Sequence, residues 1–88
     1  MKRLLRFTAS WCAPCKMLAA TLADIQNDWK DNMMPVEVID IDENPELATE
    51  YGIRSVPTLV MLDENIELRR HVGAMPKSKL QEWIRGDV

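Results

Sequence analysis

The chain is poor in the residues that build metal sites and disulfide frameworks. Two cysteines and a single histidine, His71, occur among its 88 residues. A four-ligand zinc site cannot be filled from cysteine and histidine within one copy, so no metal is expected. A bridge between cysteines only two residues apart would add little stability, which favours a redox role and a reducing compartment, with the cytoplasm as the expected location. No apolar run approaches the ~18 residues of a membrane-spanning helix. The basic start, Met1-Lys2-Arg3-Leu4-Leu5-Arg6, is interrupted by Arg6 before any signal-peptide core can form, and is read as a first strand. Charge of one sign is also missing: 11 Lys and Arg face 14 Asp and Glu, interspersed, for a net charge of −3. That leaves neither a basic patch for nucleic acid nor an acidic tail. The length suits one domain, 1–88, with no room for a second core.

What is present is a regular alternation of patterns. Residues 2–8 hold Leu4, Leu5 and Phe7 in a strand-like run. Pro14 fits the first turn of a helix, where a missing N–H costs nothing. Leu18, Leu22, Ile25 and Trp29 then recur at helical steps and define one buried stripe, ending around 30–34. Residues 35–41 set Val36, Val38 and Ile39 among acidic residues as a second strand. A strand–helix–strand unit makes these two strands parallel with a right-handed crossover. Asn44-Pro45-Glu46 reads as an N-cap, a first-turn proline and an acidic first turn, opening a short helix that Gly52 ends. Ser55-Val56-Pro57 is a loop before an apolar strand at 58–62. Asp63-Glu64-Asn65 turns the chain into a strand at 66–72, which Gly73 breaks. Pro76 opens a last helix striped by Leu80, Trp83 and Ile84. The expected order is β-α-β-α-β-β-α, an α/β fold.

The chemistry concentrates in Trp11-Cys12-Ala13-Pro14-Cys15-Lys16. Cys12 falls where a strand ends and a helix begins, where free backbone N–H groups and the helix dipole favour a thiolate. Both sulfurs lie within one helical turn and can close and reopen a disulfide. Cys12 is the candidate nucleophile, expected to be exposed, with a pKa lowered from ~8.5 toward neutrality. Cys15, deeper in the turn, is the candidate resolving thiol. The opposing reading is a pair of inert core cysteines.

The chain resembles the thioredoxin family. Trp11-Cys12-Ala13-Pro14-Cys15-Lys16 is similar to that family's active-site motif, Val56-Pro57-Thr58 to its cis-proline loop, and Val72-Gly73-Ala74 to its glycine turn. Asp42-Glu43-Asn44-Pro45 and Tyr51-Gly52-Ile53-Arg54 match its middle segment in type and order. The resemblance starts at the first strand, and no counterpart is expected here for the extra N-terminal strand and helix of full-length thioredoxins. The resemblance implies a minimal thioredoxin fold: a four-stranded mixed sheet in the order 2-1-3-4 with three helices. The first and third helices would share one face, and the second face would be partly exposed.

The resemblance further implies a thiol–disulfide oxidoreductase that reduces protein disulfides as a monomer. Its electrons would come from a thioredoxin-reductase-like or other thiol donor, with no cofactor beyond the Cys12–Cys15 disulfide. Trp11, Ala13, Pro14, Val56, Pro57, Gly73 and Ala74 would contact substrate. Pro14 stands where oxidising relatives carry histidine, which implies a potential near ~−270 mV. The alternatives are a glutathione-dependent glutaredoxin, against which Ala13 and the lone Gly73 argue, and a non-catalytic binding module. In the family a buried acid six positions before the first cysteine assists the second; here that position is Arg6, and the accompanying lysine is replaced by Val38. Arg6 and Lys16 are therefore candidate modulators of the thiols. Arg6 either faces the cysteines or snorkels to an uncovered surface.

Overall fold

The first strand, β1 (Lys2–Thr8), is apolar on both sides, and this decides the architecture. Leu4 is buried in one layer, and Leu5 and Phe7 in the other. A strand covered on both faces belongs in the middle of a sheet. In the computed structural model, which describes residues 1–86, β1 pairs in parallel with β2 (Val36–Asp40) and antiparallel with β3 (Thr58–Asp63). β3 is buried from Thr58 through Leu62, as its unbroken apolar run requires. β4 (Ile66–Val72) closes the far edge antiparallel to β3, giving the order β2-β1-β3-β4.

One layer is built by the two longer helices. α1 (Ala13–Trp29) buries Cys15, Leu18, Leu22 and Ile25, while α3 (Lys77–Arg85) buries Leu80, Trp83 and Ile84. With Leu4, Leu59 and Met61 from the sheet these form the larger core cluster. Trp29, expected in the buried stripe, is only partly buried at the rim, with the Arg85 guanidinium 5.3 Å from its ring centroid. A single 3₁₀ turn, Lys30–Asn32, leads from α1 toward β2.

The other layer is thinner. Leu5, Phe7, Ile39, Val60 and Leu62 pack under Leu47, Tyr51, Ile53 and Val56, with the Phe7 and Tyr51 rings 5.7 Å apart. The covering helix α2 (Pro45–Glu50) contributes no buried residue of its own. The strands beneath are nonetheless buried, so the expected partial exposure of this face falls on its roof.

Several local expectations shift. Asn44 precedes α2, but its side-chain amide donates to the Asp40 carbonyl at 3.1 Å and does not cap the helix. Pro76 occupies the N-cap of α3 and the helix proper starts at Lys77. The turn after β3 narrows to Glu64 and Asn65, with Glu64 in the left-handed region at φ 56°. Among the described residues no helix is long and apolar enough to cross a membrane.

Candidate functional site

β1 ends under the N-terminus of α1, and the Cys12 N–H donates to the Ala9 carbonyl at 3.2 Å to make the tight entry. Cys12 thereby becomes the N-cap of α1. Its Sγ does what a capping oxygen does elsewhere: it accepts the Cys15 N–H, at 3.2 Å. Cys12 and Cys15 are joined as a disulfide with Cα atoms 5.3 Å apart. Ala13 and Pro14, between them, are exposed on the first turn.

The expected exposure of Cys12 is corrected here. The residue is only 4% exposed, against 1% for Cys15, and both sit in a small cluster with Ala9 beneath Ile41 and Val56. The cover is tertiary: the loop before β3 folds over the pair and brings the Val56 carbonyl oxygen to 3.7 Å from Cys12 Sγ.

That loop is held from three sides. The Val56–Pro57 peptide is cis, and Pro57 is buried. The Pro57 carbonyl accepts the Gly73 N–H at 2.8 Å, which ties the end of β4 to the loop. Thr58 Oγ1 donates to the Ser55 carbonyl at 2.7 Å. Gly73 has φ +99°, a backbone state that disfavours any side chain, and a Cβ built on it meets nothing within 4 Å. The structure therefore brings Cys12, Cys15, Val56, Pro57 and Gly73 into one region, with Ala74 following Gly73 at its edge.

Two features of this region carry no signal in the sequence. Trp11 is 68% exposed, and its indole N–H donates to the Asp42 carboxylate at 2.9 Å, which anchors an otherwise free ring. Ala74 lines, with Met17, Thr21, Met75 and Pro76, an apolar cavity of about 330 Å³. Neither Asp42 nor the two methionines is marked by spacing, because the contacts are made between elements far apart in the chain.

Arg6 lies on the α1 side of the sheet, in register with Val38 of β2 and Leu59 of β3. It is half-buried and lines a cavity of about 220 Å³ together with Cys15, Lys16 and Asp40. Burial lowers the pKa of its guanidinium from the ordinary value. His71 stands apart from the cysteines, edge-on to Trp83 at 6.4 Å. Among the described residues no group of three or more His, Cys, Asp or Glu side chains is placed to hold a metal ion.

Comparison with known proteins agrees with this geometry. The family model described as thioredoxin matches residues 1–86. The chain is 46% identical over 82 residues to thioredoxin of Griffithsia pacifica, covering 93% of this chain and 74% of that protein. It is 42% identical over 78 residues to thioredoxin of Bacillus subtilis, covering 89% and 74% respectively. A solved point mutant of thioredoxin from Halobacterium salinarum superposes with a TM-score of 0.82 at 32% identity, covering 97% of this chain and 73% of that one. A redox-capable cysteine pair at the N-cap of α1, on a sheet of this topology and with this similarity along nearly its whole length, has one explanation: the chain belongs to the thioredoxin family, and Cys12–Cys15 is its thiol–disulfide redox centre.

Proposed function

We propose that the chain is a protein-disulfide reductase in which Cys12 attacks and Cys15 resolves. The observation that carries the assignment is the Cys15 N–H directed at Cys12 Sγ from the first turn of α1. An N–H aimed at a sulfur stabilises the thiolate more than the thiol, and the helix terminus adds to it. Cys15 is the more deeply buried of the two.

In the reduced protein the Cys12 thiolate attacks one sulfur of a substrate disulfide. A Cys12–substrate disulfide forms and the other substrate sulfur leaves as a thiolate. Cys15 then loses its proton and attacks Cys12 Sγ, which closes Cys12–Cys15 and expels the second substrate sulfur. Two electrons pass to the substrate, whose thiolates take protons from solvent. A dithiol donor of the thioredoxin-reductase kind, or another thiol, reverses the steps on the protein. Every group named belongs to one chain, so the reaction needs no second copy. We assign the work to a reducing compartment such as the cytoplasm, because the only two cysteines of the chain are the redox pair.

Substrate docks on the rim that surrounds the sulfurs. Trp11, with Ala13 and Pro14, supplies an apolar lip; the backbone of Val56 beside Pro57 offers pairing for an extended strand; Gly73 and Ala74 leave room for its main chain. Cys15→Ser traps mixed disulfides on Cys12, and Cys12→Ser traps nothing and abolishes insulin reduction. Turnover by Cys12→Ser refutes the assignment. Assaying the wild type with thioredoxin reductase, then with glutathione and its reductase, identifies the donor class.

A further inference from the structure

The cavity that Arg6 lines is bordered by one of the two cysteines: Cys15 is among its lining residues and Cys12 is not. Three residues with charged side chains line this space, each from a different element. Arg6 comes from β1, Lys16 from α1 and Asp40 from β2. Their circumstances differ. Lys16 is exposed to solvent. Asp40 already uses Oδ1 to accept the N–H groups of Asp42 at 2.8 Å and Glu43 at 3.3 Å. Arg6 is half-buried between apolar cross-strand neighbours, Val38 and Leu59, and among the described residues no carboxylate lies within ion-pairing distance of it. A guanidinium stays charged even when burial opposes it, so a half-buried one without a partner gains when an anion appears beside it.

The anion that appears there during the reaction is the Cys15 thiolate. We propose that Arg6 is the positioning residue for the resolving step: its fixed positive charge favours the Cys15 thiolate, so Cys15 gives its proton to water and no protein carboxylate is needed as base. The proposal rests on the reading in which Cys12 attacks and Cys15 resolves. Its chemistry is that of the step above. The Cys15 S–H proton leaves to solvent, the Cys15–Cys12 bond forms, and the Cys12–substrate bond breaks with the electron pair going to the departing sulfur. Arg6 exchanges neither proton nor electron.

The test separates Arg6 from the order of attack. In Cys12→Ser the sole thiol is Cys15, and its thiolate absorbance can be titrated without any turnover. Adding Arg6→Met to that background raises the Cys15 pKa by about one unit, the lower end of the effect of an adjacent opposite charge, and Arg6→Lys restores most of it. In the protein with both cysteines, reduced chain is mixed with a chromogenic aromatic disulfide and the release of the second aromatic thiol is followed against pH. Arg6→Met moves the midpoint of that phase upward by the same amount and slows it roughly three- to fourfold at neutral pH, the lost thiolate fraction being partly offset by the higher nucleophilicity of a more basic thiol. Asp40→Asn, which keeps the acceptor for both N–H groups, slows it not at all. An unchanged Cys15 titration in a folded Arg6→Met or Arg6→Gln protein overturns the proposal. So does a comparable slowing in Asp40→Asn, which would make Asp40 the proton acceptor. Failure of Cys15→Ser to trap substrate would instead strike the order of attack, and the Cys15 titration would still report on Arg6.

Discussion

Leu18 and Met17 are neighbours on α1 with opposite fates, and truncating each to alanine measures what the larger core layer contributes. Leu18 is fully buried, one turn beyond Cys15 on the same face, in a cluster with Leu4 of β1, Leu59 of β3 and Leu80 of α3. A leucine enclosed by residues from three other elements leaves a cavity that no single side chain can fill by moving. Losses of about 3–5 kcal/mol are usual for such sites. A chain of 88 residues has a total stability of roughly 4–13 kcal/mol at the ordinary value per residue. Leu18→Ala therefore removes about a quarter of it or more, and lowers Tm by roughly 12–40 °C at about 4–8 °C per kcal/mol. Met17 is 66% exposed, and Met17→Ala shifts stability by about 0.5 kcal/mol or less. Urea unfolding followed by circular dichroism, on oxidised proteins with matched m values, reads both. A loss below about 1 kcal/mol for Leu18→Ala, or an equal loss for Met17→Ala, would refute the assignment of the α1 face as the principal core.

Gly73→Ala meets no atom but must hold φ +99°, so it costs roughly 1–2 kcal/mol through the backbone alone. It also crowds the rim, and a raised KM for a protein disulfide with the thiol titrations unchanged checks the docking role. The Glu67 carboxyl is held below its ordinary pKa by paired hydrogen bonds from Arg70, at 2.7 and 2.8 Å. A lowered folded pKa means that the contribution is full above the unfolded value of about 4.3 and is lost as pH falls through the folded one. The pair is largely solvent-exposed, so the loss is a few tenths of a kcal/mol; unfolding curves of wild type and Glu67→Gln should converge at acid pH and separate at neutrality.

Much of this architecture is legible because the signals are local. β1 and β4 fall on the residues their patterns mark, since each is bounded by a turn or a glycine. The α1 stripe of Leu18, Leu22 and Ile25 is buried as its spacing requires, because only one face of that helix meets the sheet. What local pattern misses is set by contacts across the chain. Trp29 fits the helical period, yet it lies at the last turn, where the neighbouring element is Arg85 at the end of α3. Asn44 has the chemistry of an N-cap, but the Asp40 carbonyl claims its amide first. Asp42 finds Trp11 across 31 positions, a pairing that no periodicity encodes. The helix-terminus position of Cys12 follows from Pro14 and the stripe beyond it, whereas its burial depends on a loop 44 positions away.

That burial bears on what the centre selects. A fully exposed thiolate at a helix terminus would attack any accessible disulfide, with its rate governed by thiolate fraction and nucleophilicity. Cys12 instead lies under the loop that carries Val56, and on the proposed reading a partner approaches its sulfur along the rim of Trp11, Val56 and Gly73. On the proposed reading the rim filters substrates by shape before chemistry begins. Trp11 is pinned by Asp42, so the lip is already formed and loses less freedom on docking than an untethered indole would. Gly73 keeps open the space that any larger residue would occupy, and its N–H fixes the Pro57 carbonyl. On the same reading, once the substrate is linked to Cys12 the remaining step takes place at Cys15, the cysteine that borders the cavity lined by Arg6. On the proposed reading selection and release are governed by different residues: substitutions on the rim should change KM, and substitutions at Arg6 should change the pH at which the linked substrate is let go.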